Sequence, residues 1–247
     1  MPVVAAAFCP HPPVILPDVA VGAAAELDTL RSACDAAVRA LVGQHPDRIV
    51  VVGRSDVGVP QPQPSADAAL TAHASGAVGS LAGYGIDLRV VLGGDDGTTY
   101  AALPLSLTIG AWLLQRTSQD ADVAGIELPA DLTPDAARDV GGTLAEIPAR
   151  VGLLVMGDGS ARLSTEAPGH TGGRARDWQD GVSRALTTGD PDFLRALDPA
   201  AADEQLASGR PAWQVAAAAV PWVIDVPVQL VEECYGVGYI VAAWVPR

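Results

Sequence analysis

The fold of this chain is decided at residues 3–13, which read VVAAAFCPHPP. The apolar run from Val3 to Phe8 predicts a buried strand. Three prolines then surround His11, and because proline fixes φ and lacks an N–H, neither a strand nor a helix continues through them. We expect a stiff loop that holds the imidazole at the carboxyl end of the strand, where open α/β sheets bind ligands. The alternative is that the prolines only end the strand and that His11 packs locally.

Two further apolar runs end in polar residues in the same way. Residues 48–53 read RIVVVG and residues 150–156 read RVGLLVM, and both predict central parallel strands. The carboxyl ends of parallel strands meet at one edge of a sheet, so we expect the three loops to line a common crevice. The crevice residues are His11, Arg54, Ser55, Asp56, Asp158 and Ser160.

These side chains divide by the chemistry that they can perform. The catalytic candidates are His11, Ser55, Asp158 and Ser160. The ligand-binding candidates are Arg54, Asp56 and Tyr235. A guanidinium such as that of Arg54 holds a carboxylate or phosphate through two parallel hydrogen bonds, and the alternative is a salt bridge to Asp56 or to a neighbouring acid. Serine catalysis would need a histidine beside the hydroxyl, and the Gly-x-Ser-x-Gly pattern is absent.

The composition predicts one α/β domain over residues 1–247. Apolar residues make up 49% of the chain and aromatic residues 4%, so the core must consist of aliphatic side chains and alanine. Such a core suits a largely parallel central sheet that is flanked by helices on both faces. The last strand, at residues 235–244, is interrupted by glycine and alternates, so we expect it to run antiparallel.

The net charge and the cysteine content limit the partners that the protein is expected to bind and indicate its cellular compartment. The net charge is −14, which disfavours binding to nucleic acid or to an anionic membrane. Cys9, Cys34 and Cys234 form neither a disulfide framework nor a CxxC metal pair. No stretch is apolar and long enough to span a bilayer, and the N-terminus lacks a signal-peptide pattern. We therefore expect a cytoplasmic protein with a small-molecule ligand, and the sequence leaves a homo-oligomer open.

The remaining elements follow from periodicity and from capping residues. Thr133-Pro134 and Asp190-Pro191 are each expected to start a helix as N-cap and first helical residue, whereas Pro199 should end one. We interpret residues 57–85 as a long loop with one helical turn, and His73 within it as a solvent-exposed histidine. Helices are predicted at 22–42, 103–114, 134–147, 174–186, 202–207 and 211–219, and strands at 86–92, 122–128 and 223–230.

Several features of the chain resemble the class III extradiol ring-cleavage dioxygenase B-subunit family, which includes Memo-like proteins. They resemble an actinobacterial-type branch of that family. In active members the resemblance implies a single α/β domain with a ferrous centre that opens catechol-type rings with dioxygen. The features are Phe8–Pro13, the valine-rich strand at 49–52, Met156–Ser160, Ala167–Gly169 and Tyr235–Tyr239.

The residues that the resemblance assigns to the metal site are only partly present. His11 matches the first histidine ligand, whereas Arg54 and Ser55 stand where the second is expected. The acid-base histidine is replaced by Ala161. A late carboxylate, from Glu232 or Glu233, would complete the site. A two-histidine, one-carboxylate iron site or a three-ligand zinc site would therefore need another histidine. The candidate ligands for Fe²⁺ or Zn²⁺ are His11, His170 and Glu233.

These observations lead to three hypotheses. In the first, the chain is a family member with an incomplete metal and acid-base site, which binds a small aromatic or anionic ligand without ordinary ring cleavage and without a metal. In the second, it is an active Fe²⁺- or Zn²⁺-dependent enzyme whose triad is rebuilt around His11 with His170 or His73 and a carboxylate. In the third, it is a non-enzymatic scaffold protein.

Overall fold

The computed structural model of the chain describes residues 3–56, 70–94, 99–164, 173–220, 222 and 224–247. In this part of the chain the strands are β1 (Val3–Cys9), β2 (Arg48–Arg54), β3 (Thr71–His73), β4 (Ala77–Ser80), β5 (Arg89–Val91), β6 (Thr99–Ala102), β7 (Asp122–Leu128), β8 (Val151–Met156), β9 (Ile224–Cys234) and β10 (Val237–Pro246). The α-helices are α1 (Pro17–Ala20), α2 (Asp28–Val42), α3 (Leu105–Gln115), α4 (Pro134–Glu146), α5 (Gly173–Thr188), α6 (Pro191–Arg195), α7 (Pro199–Glu204) and α8 (Arg210–Ala219). Short 3-10 helices cover Pro13–Ile15, Val21–Leu27 and Ala82–Tyr84.

The main sheet has seven strands in the order β3-β7-β2-β8-β1-β10-β9. Its four central strands, β7, β2, β8 and β1, are parallel. β10 runs antiparallel to β1, and β9 runs antiparallel to β10, so the predicted parallel sheet with an antiparallel C-terminal strand is confirmed. Cys9 pairs with Met156, and Val52 pairs with Val155, so β1, β2 and β8 end at nearly the same level.

Helices cover both faces of this sheet, as predicted. Successive side chains of a strand point to opposite faces, and in β1 Ala5, Ala7 and Cys9 belong to one core while Ala6 and Phe8 belong to the other. Buried residues of α2 and α3 complete the first core. Buried residues of α4, α5 and α8 complete the second. The central strands are therefore covered on both sides, which leaves their carboxyl ends as the accessible edge.

The capping predictions hold for two helices and fail at a third position. The Thr133 side chain accepts a hydrogen bond from the N–H of Ala136, and the Asp190 side chain accepts one from Phe193, so both residues are N-caps. Pro199 does not end a helix but begins α7, because the Asp198 carboxylate caps the free N–H groups that follow it. Proline is compatible with the first helical turn, and this places α7 earlier in the chain than expected.

The prediction of a loop at residues 57–85 was incomplete. Residues 57–69 lie outside the described part, but β3 and β4 fall inside the segment. β4 forms a second, three-stranded sheet in the order β5-β4-β6. Strands of three and four residues are too short to show a readable period, and their pairing partners are distant in sequence. The predicted helical turn corresponds to the 3-10 helix at Ala82–Tyr84.

The cysteines agree with the sequence interpretation. All three are free thiols, and Cys9 and Cys34 are buried in the first core. Burial, reinforced by the neighbouring Cys9, raises the pKa of the Cys34 thiol. Among the described residues, no helix combines the length and the apolar character that crossing a membrane would require.

Candidate functional site

A cavity of about 660 Å³ opens at the carboxyl ends of β1, β2 and β8. The convergence of three loops that the sequence predicts is therefore observed. The loop after each of these strands contributes to the lining, as expected where parallel strands end together. From the three loops, the lining residues are His11, Pro12, Pro13, Arg54, Ser55, Asp56, Asp158, Gly159 and Ala161.

Close approach of the β8 loop to helix α8 shapes the base of this cavity. The N–H of Gly157 donates to the carbonyl of Cys9 at 3.0 Å, which continues the β1–β8 pairing by one residue. A Cβ at Gly157 would lie 3.1 Å from the indole nitrogen of Trp213 and closer still to the backbone of Gly209. Only glycine fits there without a shift of α8, and the chain then turns outward at Asp158.

His11 and Asp158 form an imidazole–carboxylate pair on the cavity wall. The backbone N–H of His11 donates to Oδ1 of Asp158 at 2.8 Å, and His11 Nε2 lies 3.8 Å from Oδ2. The N–H of Asp158 in turn donates to the hydroxyl of Ser208 at 3.0 Å. The carboxylate therefore fixes the proline-rich loop through its backbone, while its second oxygen faces the ring without a direct hydrogen bond. The pair joins the β1 and β8 loops.

Arg54 places a cation in the cavity that is not directly paired with a carboxylate in the described part of the chain. Its guanidinium is partly buried, and this burial lowers its pKa, against the opposing charges of Asp203, Asp158 and Asp56. Guanidinium groups nevertheless stay protonated in proteins. In the described part of the chain, no hydrogen bond or ion pair involves this side chain.

The predicted alternative of a salt bridge between Arg54 and Asp56 is not formed. The Asp56 carboxylate instead accepts hydrogen bonds from the N–H of Leu105, at 3.0 and 3.3 Å. Asp56 thus satisfies a free N–H at the start of α3, a position where a negative charge is also favoured by the helix dipole. The guanidinium is therefore available to an incoming group.

Neither predicted serine is arranged as a nucleophile. The Ser55 hydroxyl lines the cavity but donates to the carbonyl of Leu128 at 3.0 Å. Ser160 is fully buried behind the cavity wall. Its N–H donates a hydrogen bond to the Gln179 side chain at 2.8 Å. Its hydroxyl accepts the N–H of Arg162. In the described residues, neither hydroxyl has a hydrogen bond to a histidine.

Two other predicted residues lie away from the cavity. Tyr235 sits in the β9–β10 turn at φ 54° and is 59% exposed, where its hydroxyl donates to Glu26 at 2.8 Å. Glu233 is on the edge strand β9 and forms an exposed ion pair with Arg176 at 2.8 Å. Because β9 is separated from β1 by β10, neither side chain is among the cavity-lining residues.

The expectation for His73 was wrong. The side chain is buried on β3, and its Nε2 lies 2.9 Å from Glu127 Oε2 on β7. The antiparallel pairing of β3 with β7, in which His73 faces Gly125, encloses the ring at the edge of the sheet. His73 is not a cavity-lining residue.

The metal-ligand set is incomplete in the described part of the chain. His170 lies outside the described residues. Within them, no group of three or more His, Cys, Asp or Glu side chains is placed to hold a metal ion. At the cavity, His11 and Asp158 supply one imidazole and one carboxylate, which falls short of a two-histidine, one-carboxylate iron site.

Tyr239 is a cavity residue that the sequence reasoning did not assign to the site. It is 3% exposed and lies on β10, which runs antiparallel to β1, so its amino end meets the carboxyl end of β1. Burial, together with the charge of Asp158, raises the pKa of its phenol, which therefore stays neutral and can donate a hydrogen bond. The antiparallel direction predicted for the last strand was the signal that could have placed it here.

The rest of the cavity comes from segments that carried no functional signal. Gly83 and Tyr84 belong to the 3-10 helix after β4, and Leu206 and Ser208 belong to the connection between α7 and α8. These segments reach the site only through tertiary packing. No residue pattern in them points to a ligand.

No protein-family model and no curated protein matches the sequence. Among solved structures, the crystal structure of the uncharacterized protein JW3007 from Escherichia coli K12 is similar to this chain, with a TM-score of 0.51 and 12% sequence identity. The match covers 97% of this chain and 99% of that one. At this level of identity the likeness shows a shared single-domain α/β fold and nothing of function.

Proposed function

We propose that the chain is a diverged relative of the class III extradiol dioxygenases that binds a small anionic ligand in the cavity and does not perform ordinary ring cleavage. The observation that carries the proposal is the Arg54 guanidinium, which lines the cavity and forms no hydrogen bond or ion pair with another described residue. A carboxylate or a similar oxyanion supplies the two acceptor atoms that a guanidinium binds best.

The groups around Arg54 suit the recognition of such a ligand. Tyr239 offers a neutral phenol as a donor, and the His11 imidazole is held in place through its own backbone by Asp158. A few convergent polar groups in a cavity of several hundred cubic ångströms are typical of small-molecule sites. The cavity volume of about 660 Å³ falls in this range.

The donor set argues against the ring-cleavage chemistry that the family resemblance implies. The position of the acid-base histidine holds Ala161, whose side chain cannot transfer a proton. Arg54 and Ser55 stand where a second histidine ligand is expected, and Ser55 is hydrogen-bonded to Leu128. The described residues therefore do not fit a mononuclear Fe²⁺ or Zn²⁺ site, and the proposal contains no metal step.

The proposal is tested by titrating the protein with benzoate and following the binding by NMR. Arg54→Gln removes the cation from the cavity and should weaken benzoate binding at least about tenfold, since hydrogen bonds to charged groups contribute about 1.5–3 kcal/mol. Arg48→Gln is the matched control. It removes an arginine from the other end of the same strand, where the side chain forms a surface ion pair with Asp122.

Three outcomes would overturn the proposal. Equal affinity of wild type and Arg54→Gln would exclude Arg54 as the binding group. Absence of binding by benzoate and by every other small anion in a thermal-shift screen would favour the scaffold hypothesis. Stoichiometric iron after anaerobic purification, together with turnover of catechol, would show the active metal-dependent enzyme instead.

A further inference from the structure

The solvent-exposed part of the cavity lining includes large apolar side chains. Two large apolar side chains line it while remaining half exposed to solvent, Tyr84 at 52% and Leu206 at 53%. They come from opposite parts of the chain, the 3-10 helix after β4 and the connection before α8. Exposed apolar side chains beside a cavity commonly mark the surface that a ligand covers.

Leu206 is held in this position at a conformational cost. Its φ is 54°, in the left-handed region that residues with a Cβ disfavour. The loop around it is attached to the β8 loop from both sides: the N–H of Ala161 donates to the carbonyl of Gln205, and the N–H of Gly209 donates to that of Asp158, each at 3.0 Å. A strained residue that its surroundings hold in place at a cavity is a reason to look for a functional role.

The charges of the lining favour a singly charged polar group on the ligand over a doubly charged one. Arg54 is the cationic side chain among the lining residues, and Asp56 and Asp158 are the carboxylates. A dianion such as a phosphate monoester would meet two carboxylates for one guanidinium. A carboxylate carries a single charge and matches the guanidinium with two parallel hydrogen bonds.

We infer that the ligand is a monocarboxylate with an apolar body, whose carboxylate binds Arg54 and whose hydrocarbon part packs against Leu206 and Tyr84. This inference rests on the proposed function, because it requires that Arg54 binds the anionic group. It adds a class of ligand and assigns the discrimination between ligands to two residues at the cavity mouth.

The test is an NMR titration with acetate, butanoate and hexanoate. In the wild type, affinity should rise by up to about fourfold for each methylene that becomes buried. Leu206→Gly removes the apolar surface and also relieves the strain, because glycine adopts positive φ freely. It should flatten the chain-length series, so that butanoate and hexanoate gain less affinity over acetate than they do in the wild type, and it should not lower the melting temperature.

Two further variants make the outcome specific. Tyr84→Ser should reduce the chain-length dependence in the same way as Leu206→Gly. Val231→Thr is the control, because Val231 is 51% exposed on β9 and is not a cavity-lining residue. This control should keep the full wild-type series.

The results separate this inference from the proposed function. If affinity does not depend on chain length, or if Leu206→Gly and Tyr84→Ser keep the wild-type series, the inference fails while anion binding at Arg54 stands. If no carboxylate binds, or if Arg54→Gln binds acetate as well as wild type does, both are overturned.

Discussion

Two imidazole–carboxylate pairs in this protein differ in their surroundings. His73 Nε2 lies 2.9 Å from Glu127 Oε2, and both side chains are almost fully enclosed at the β3 edge of the sheet. His11 Nε2 lies 3.8 Å from Asp158 Oδ2 on the wall of the cavity, and Asp158 uses its other oxygen to hold the loop backbone. Both rings have an Nδ1 that is buried and unpartnered among the described residues.

The difference separates a pair that is enclosed in the sheet from one that faces the cavity. A buried charge is costly unless it is paired closely, and the His73–Glu127 contact has the distance and burial of such a pair. The His11–Asp158 pair lines the same cavity as Arg54, at the carboxyl ends of β1, β2 and β8. Both pairs combine an imidazole with a carboxylate, so it is the position in the sheet that decides which pair is accessible from the cavity.

The largest effect should come from removing one member of the enclosed pair. His73→Ala should lower the free energy of unfolding by about 2–4 kcal/mol, because it leaves a cavity in place of a buried ring and removes one hydrogen bond of the Glu127 carboxylate. His11→Ala should lower it by less than about 2 kcal/mol, because the ring has no direct side-chain hydrogen bond. Urea unfolding of both variants measures the contrast, and equal losses would contradict it.

A smaller loss of stability is expected when the carboxylate at the cavity is removed. Asp158→Ala should cost about 1–3 kcal/mol, because the N–H of His11 loses its acceptor. Asp158→Asn keeps an amide oxygen at that position and should retain most of the stability. If the two variants unfold at the same urea concentration, the carboxylate does not act on the loop through this hydrogen bond.

The smallest effect concerns Tyr239 at high pH. Burial raises the pKa of its phenol in the folded protein, whereas the unfolded chain should release the proton near pH 10. Between these two pKa values the unfolded chain has lost the proton and the folded protein still holds it, so the free energy of unfolding should fall as the pH rises above about 10. The loss should be up to about 1.4 kcal/mol per pH unit. Tyr239→Phe should remove this component of the pH dependence.

The matched control for this measurement is Tyr235→Phe. Tyr235 is exposed in the β9–β10 turn, where its hydroxyl donates to Glu26. This hydrogen bond raises the pKa of the Tyr235 phenol, but solvent screens the exposed contact, so the variant should keep a pH dependence closer to that of wild type than Tyr239→Phe does. Urea unfolding between pH 8 and 11 compares the three proteins, and identical slopes in all of them would show that the phenol of Tyr239 is not enclosed.

Much of the cavity could be predicted because its geometry follows from strand direction. The runs that end at Cys9, Arg54 and Met156 are continuous and apolar, and parallel strands deliver their carboxyl ends to one edge. The predicted antiparallel last strand also held the information that places Tyr239 there. The same rule does not distinguish Asp158, which lines the cavity, from Ser160 two residues later, which a hydrogen bond to Gln179 draws into the interior.

The parts that could not be predicted depend on contacts between distant segments. His73 looked like a loop residue because β3 has three residues and owes its burial to pairing with β7. Leu206 and Tyr84 carry no local signal, since their place at the cavity depends on how the 3-10 helix and the α7–α8 connection pack. Local sequence patterns predict individual helices and strands, whereas the positions of these three side chains depend on how distant segments pack.

The central claim is that the cavity at the ends of β1, β2 and β8 binds a carboxylate through Arg54. The most direct measurement is a crystal structure of the protein grown with 4-bromobenzoate, in which the anomalous signal of bromine locates the ligand. We expect a bromine peak inside the cavity, with the carboxylate oxygens within hydrogen-bond distance of the Arg54 guanidinium. A ligand bound elsewhere, with Arg54 still unpaired, would contradict it.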